Sequence, residues 1–240
     1  MEIKAVIFDI YDTLLKVERQ TPEEAEKLWQ NLYFEFFHAL PPFGYQKLTE
    51  QCDMLIHQQH IQARLRRIKY PEILWDEILK IALPELNSLK NEHADEFFYR
   101  QSQVWHSVSM NRETAEFLKF LLKKNIIIGI ASNCQKYTLK ELTVTLQTYG
   151  FGIETFDSDL MFLSFKYGFS KPDPYVFQIL TTRAHSKGIK PEEILIVGDS
   201  IQNDIEPAKL FGWKTWWLTN AEINQYENGG LWNGLMRQFA

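Results

Sequence analysis

A chain of 240 residues, 45% of them hydrophobic and 14% aromatic, is long enough for a substantial core, or for a core carrying an inserted second unit. Its 26 basic and 31 acidic residues leave a formal charge of −5 without a basic block, which argues against a nucleic-acid platform or a membrane-surface helix. Two distant cysteines without metal-ligand spacing, an N-terminal apolar run too short for a signal peptide and no stretch approaching a membrane span predict a soluble, cytoplasmic protein.

In chain order, Ala5-Val6-Ile7-Phe8 reads as a strand buried on both faces, and an acid, Asp9, follows it abruptly. Ligands of open α/β sheets sit at the carboxyl ends of strands, so Asp9 stands where chemistry is expected, although a lone Asp there more often caps a turn. Thr21-Pro22-Glu23-Glu24 is a helix start: an N-cap hydroxyl, proline in the first turn, and acids at the positive end of the dipole. Leu28, Leu32, Phe36 and Leu40 recur behind it at helical spacing, with Trp29 and Tyr33 beside them, until Pro41-Pro42 stops the run. Further helices are predicted over 46–67, after Pro71 (Ile73, Leu74, Ile78, Leu79, Leu83), and over 91–105. No strand is expected between Thr21 and His106.

Strand and helix alternate from there on. A helix opens at Asn111 and ends near Lys123-Lys124-Asn125; residues 126–131 form an apolar strand running into Ser132-Asn133; a helix over 135–149 is closed by Gly150. A short strand about 159–163 precedes Ser170-Lys171-Pro172-Asp173-Pro174, which opens another helix. The strand 194–197 ends in Gly198-Asp199-Ser200, and a helix over 204–211 leads to a last strand, 214–218. The pattern predicts an α/β fold: a Rossmann-like parallel sheet with helices on both faces (1–15 and 110–240), interrupted by an inserted all-α cap (16–109). The cap aromatics (Trp29, Tyr33, Phe34, Phe36, Phe37, Phe43, Tyr45) and the tryptophans 213, 216 and 217 read as packing core, and the six histidines show no ligand pairing.

In such a sheet the strand ends share one edge, so Asp9, Ser132 and Asp199 converge with Lys171 and Asp204. A carboxylate nucleophile, a hydroxyl donor, a cation and two further acids are what phosphoryl transfer through an aspartyl-phosphate needs. Ligation by oxygen alone suits Mg²⁺ better than zinc.

These segments resemble the four motifs of the haloacid dehalogenase (HAD) superfamily of hydrolases, most of which are phosphatases: Asp9-Ile10-Tyr11-Asp12-Thr13-Leu14, Ser132-Asn133, Lys171 in Ser-Lys-Pro-Asp-Pro, and Gly198-Asp199-Ser200-Ile201-Gln202-Asn203-Asp204. The resemblance spans the chain and implies a Rossmann-like core with a mobile α-helical cap. It implies that Asp9 is the nucleophile and a Mg²⁺ ligand, that the Tyr11 carbonyl is a second ligand, and that Ser132 and Asn133 bind the phosphoryl group. Lys171 is then the charge neutraliser between nucleophile and phosphate, and Asp199 with Asp204 completes the metal site.

The departure is Tyr11, which stands where phosphatases of the family carry a second Asp as general acid. Strand parity points Tyr11, rather than Asp12, to the side of Asp9, and a distorted turn is needed to bring the Asp12 carboxylate into range. An aromatic residue here resembles the metal-independent 2-haloacid dehalogenases, but the acidic fourth motif and Phe177 in place of their Tyr oppose that alternative. A non-catalytic binding protein on the same fold is the third reading. The expectation is a Mg²⁺-dependent phosphatase for a small phosphorylated metabolite, monomeric or homodimeric, with no nucleic-acid or membrane partner.

Overall fold

The structure is a computed structural model and describes residues 2–219 and 228–239. A six-stranded sheet of parallel strands has the order β5-β4-β1-β6-β7-β8, built from β1 (Ala5–Phe8), β4 (Ile127–Ser132), β5 (Met161–Leu163), β6 (Ile194–Gly198), β7 (Lys214–Leu218) and β8 (Gly229–Gly230). β1 is central because all four of its side chains are apolar and fully buried: a strand with no polar face has no stable place at an edge. Val6 and Phe8 join the core formed with α5 (Arg112–Lys123), α6 (Lys136–Gln147) and α9 (Trp232–Arg237). Ala5 and Ile7 pack on the other side with α7 (Pro174–Ser186) and α8 (Glu206–Leu210). Trp213 and Trp216 are buried in these two layers, as core residues should be.

The inserted cap holds α1 (Pro22–Phe37), α2 (Tyr45–Leu65), α3 (Trp75–Ala82) and α4 (Asn91–Trp105) around a core of its own. Thr21 caps α1 as expected: its hydroxyl accepts from Glu24 N, and the Glu24 carboxylate accepts from Thr21 N at 2.9 Å. The buried stripe of α1 is Ala25, Trp29, Leu32 and Tyr33, so Leu28 is exposed, and α1 ends at Phe37, which leaves Leu40 beyond the helix and exposed as well. Trp29 wins the inward place because its indole removes more apolar surface than a leucine and its Nε1 still donates to Phe43 O at 3.1 Å.

Two short strands join cap to core where none was expected. β2 (Lys16–Arg19) pairs antiparallel with β3 (His106–Ser109), register Lys16↔Ser109 to Arg19↔His106, so the chain enters and leaves the cap along one ribbon. Four residues with one Val each carry too little apolar alternation to read as strands; only their pairing makes them so. No helix among the described residues is long and apolar enough to cross a membrane.

Candidate active site

The site is assembled at the carboxyl edge of the sheet. Asp9 leaves β1 with its N–H donating to Val197 O at 3.0 Å, which ties it to β6. Ser132 is the last residue of β4, one residue later than the apolar pattern suggested, and Asp199 follows β6. Asp204 lies on a single π-helical turn, Ile201–Ile205, where Ile205 N reaches back to Ser200 O at 3.3 Å, rather than opening an α-helix. That turn brings Asp204 over Gly198, where a Cβ would collide with its carboxylate. Only glycine permits the approach, which accounts for the Gly before Asp199.

Lys171 is the bridge. Its Nζ donates to Asp9 Oδ1 at 2.8 Å and to Asp204 Oδ1 at 2.5 Å, and all three side chains are buried. Asn133 holds the lysine loop from below: Nδ2 donates to Lys171 O at 2.9 Å and Oδ1 accepts from Lys171 N at 2.7 Å. The sequence thus brings Asn133 to the site, with its side chain committed to the lysine backbone.

Burial alone would push the Lys171 ammonium towards neutrality, but the charges of Asp204 and Asp9 outweigh it and the net shift is upward. Asp199 and Asp204 shift upward as well, which for them favours the neutral form. Burial, reinforced by the charges of Asp9, Asp204 and Asp12, raises Asp199 to about 6. Asp204 is also raised, by burial and by Asp9, against the pull of Lys171. One oxygen each from Asp9, Asp199 and Asp204 lies within 4.8 Å of the others, a set that could hold a metal ion. Three carboxylates with one lysine leave an excess of negative charge, which an oxygen-preferring divalent cation relieves; the donor set therefore fits Mg²⁺.

Asp199 reaches the surface and lines a cleft of about 460 Å³ with Asp12, Thr13, Lys16 and Trp217, and the Trp217 indole donates to Asp199 O at 2.8 Å. The hydroxyls of Ser132 and Thr13 are buried and find no partner among the described residues. An unpartnered buried hydroxyl is a donor that a ligand or a water could engage. Ser132 was expected in that role; Thr13 was not singled out, and its place in the first motif was the only signal.

Tyr11 and Asp12, in the turn that follows Asp9, are otherwise engaged. Asp12 adopts a left-handed backbone (φ 54), which Asp tolerates, and its Oδ1 accepts from Val17 N at 3.3 Å on β2. The Tyr11 hydroxyl donates to Glu141 Oε2 at 2.6 Å and lies 2.9 Å from Thr138 Oγ1, both on α6. Glu141 is buried and also accepts from Ser102 Oγ of α4 at 2.8 Å, while His106 Nε2 at the start of β3 lies 2.9 Å from it without hydrogen-bond alignment. Burial and the Glu141 charge raise the Tyr11 phenol, so it stays protonated as a donor. Tyr11 thus joins the Asp9 turn to α6 and, through Glu141, to the exit of the cap, and His106, which showed no pairing in sequence, sits in that joint. Tyr11→Phe is expected to lower stability by about 1–3 kcal/mol, because Glu141 stays buried with one donor fewer. Urea unfolding measures this, and an unchanged midpoint would show the bond to be idle.

A family model for haloacid dehalogenase-like hydrolases matches residues 3–212, most of the chain. The chain belongs to that family. Among solved HAD structures, the HAD phosphatase from Thermococcus onnurineus matches with TM-score 0.58 at 20% identity, over 99% of this chain and 98% of that one. The L-2-haloacid dehalogenase RSc1362 matches with TM-score 0.57 at 19% identity, over 100% and 99%. The putative HAD-hydrolase YfnB from Bacillus subtilis, solved bound to magnesium, gives 0.56 at 20% identity, over 100% and 99%. At these identities the matches establish the HAD fold with its helical cap. The rhythmically expressed gene 2 protein of Drosophila melanogaster is 29% identical over 118 residues, which are 48% of this chain and 42% of that protein. The chain is thus a member of the HAD-type hydrolases and carries three aspartates that could hold a metal ion.

Proposed function

We propose that this hydrolase is a Mg²⁺-dependent phosphatase acting on a small phosphorylated metabolite through an aspartyl-phosphate. The observation that carries the reading is the grouping of Asp9, Asp199 and Asp204, the first and last of them bonded to a single lysine. A site for halide displacement at carbon can use one further acid, as the base that activates water against the ester, but leaves the second without a role, whereas a phosphate site uses both to hold a cation. Asp9, the Tyr11 carbonyl, Asp199 and Asp204 would hold Mg²⁺, which would supply positive charge against the carboxylate and the phosphate. The likeness to a magnesium-bound HAD hydrolase supports the same reading.

In this proposal a carboxylate oxygen of Asp9 attacks phosphorus, the ester P–O bond breaks, and water later hydrolyses the acyl phosphate. Ser132 Oγ and the Asn133 backbone N–H hold the phosphoryl oxygens, and Lys171 stands against their charge. Residues 16–109 act as the cap that excludes water and shapes the pocket. Cys52 and Cys134 are buried free thiols, in keeping with a cytosolic setting; burial pushes Cys134 up to about 12, which makes it inert. With Tyr11 bound to Glu141, no carboxylic acid at that position protonates the leaving oxygen. Rates should therefore fall steeply as the leaving group becomes more basic, and aryl phosphates should outrun alkyl phosphates.

The test is phosphate release from an aryl phosphate with Mg²⁺ and with chelator, beside chloride release from a 2-chloro acid. Phosphate release that stops on chelation supports the proposal. Metal-independent chloride release would transfer the protein to the dehalogenase reading, for which Tyr11 is the one favouring residue.

A further inference from the structure

Glu72 lies outside the acid cluster, in the segment between α2 and α3, yet its carboxylate crosses from the cap into the core. Its Oε2 accepts from Ser164 Oγ at 2.5 Å, and its Oε1 accepts from Gln135 Nε2 at 3.1 Å and from Ile73 N at 2.9 Å. Burial raises its pKa against the pull of these donors. A partly buried carboxylate is costly to desolvate, so three donors gathered on one mark a specific joint rather than an incidental contact.

Both core residues that Glu72 holds belong to the loops of the site. Ser164 Oγ in turn accepts from Cys134 N at 2.8 Å, so the bond continues into the turn that carries Ser132 and Asn133. Gln135, in the same turn, is gripped twice more: Nε2 donates to Ile73 O at 3.0 Å, and Oε1 accepts from Trp75 N at 2.9 Å. On the other side, the cap segment pairs with the run leading into Lys171. Ser170 N donates to Tyr70 O at 2.9 Å, Glu72 N donates to Gly168 O at 3.0 Å, and Pro71 bridges antiparallel to Phe169. Asn133 closes the loop through its two bonds to the Lys171 backbone. One cap strap, residues 70–75, therefore touches both core loops that meet at the phosphoryl position.

We propose that Glu72 is a positioning residue, pinning this strap across the two loops so that seating the cap and placing Ser132, Asn133 and Lys171 are a single event. The functional meaning rests on the phosphatase reading above, but the mechanical coupling does not need it. A displacement of about 1 Å at such loops is enough to cost about 10² in rate, so a joint remote from the reacting atoms can govern turnover.

Amide hydrogen exchange on the full chain tests the coupling directly, because each link has its own N–H. In Glu72→Ala the Glu72 and Ser170 amides should exchange about tenfold faster or more, and so should Lys171 N–H, which is bonded to Asn133 and not to the cap. Glu72→Gln should stay within about threefold of the native protein. Its carbonyl still accepts from Gln135, and its amide donates to Ser164 Oγ. With an aryl phosphate, Glu72→Ala should lower kcat about tenfold or more while KM moves less. Faster exchange confined to Glu72 and Ser170, with Lys171 unchanged, overturns the positioning role, as does an unchanged kcat in an otherwise active enzyme. Should Glu72→Ala fail to fold, Ser164→Ala breaks the same link to Cys134 and takes its place. A native protein that releases no phosphate would overturn the phosphatase reading alone, and the Lys171 amide would still decide the strap.

Discussion

Asp9→Asn should abolish phosphate release, by more than about 10³-fold in kcat, while the protein stays folded. An amide oxygen cannot serve as the nucleophile, but it can still accept from Lys171 Nζ at the place where Asp9 Oδ1 does, at 2.8 Å. The substitution also removes one negative charge from a cluster in which the Asp9 charge helps to raise both Asp199 and Asp204. The metal-free variant should therefore unfold at an equal or higher midpoint than the native protein near pH 7. Its stabilisation by added Mg²⁺ should shrink, because a ligand has gone. Turnover, thermal unfolding and Mg²⁺ titration on the same sample separate these effects. Unchanged turnover would remove Asp9 as the nucleophile, and a large loss of stability would show that its charge is structural.

The sheet was legible because its strands announce themselves. Ala5-Val6-Ile7-Phe8 and Ile194-Leu195-Ile196-Val197 are apolar throughout and break off at an acid or a glycine-acid pair, and parallel strands must place those breaks on one edge. Asp9, Lys171 and Asp204 therefore meet as the spacing implied, although their distance apart in sequence is large. The parts that sequence hid are those defined by a partner. β2 and β3 are strands because of each other. Trp29 displaced Leu28 from the stripe because bulk, not periodicity, decides which of two neighbouring apolar residues turns inward. Parity placed Tyr11 on the side of Asp9, yet β1 ends at Phe8 and parity lapses with it; the hydroxyl goes to Glu141, more than a hundred residues away. No motif or spacing in the sequence singles out Glu72 or Glu141. Only the docking of cap on core buries them and supplies their donors.

Lys171→Met should be the most damaging single change to the stability of the site. Methionine fills a similar volume without charge, so packing is spared and the loss is electrostatic. Asp9 and Asp204 are buried beside Lys171, and removing the shared cation leaves two carboxylates facing each other in a site with little water. Breaking a buried ion pair by deleting one partner costs about 3–5 kcal/mol. The carboxylates can lessen the cost only by binding protons, which gives the effect a pH signature. Asp199, at about 6, and Asp204 already lie above their unfolded values because burial disfavours the ionised form. A raised pKa contributes stability that is fully present below the unfolded value and is lost as pH rises through the folded one. The native protein in chelator should thus weaken modestly from about pH 4 to about pH 6, and Lys171→Met should weaken far more and up to higher pH, as Asp204 moves higher still. Mg²⁺ should restore the native protein near neutral pH by taking over the protons' role at these oxygens. Urea midpoints at pH 5 and pH 8, with and without Mg²⁺, decide the matter. If the variant lost the same stability at both pH values, methionine packing rather than charge would be at fault, and Lys171 would no longer be the counter-ion around which the acids of this site are arranged.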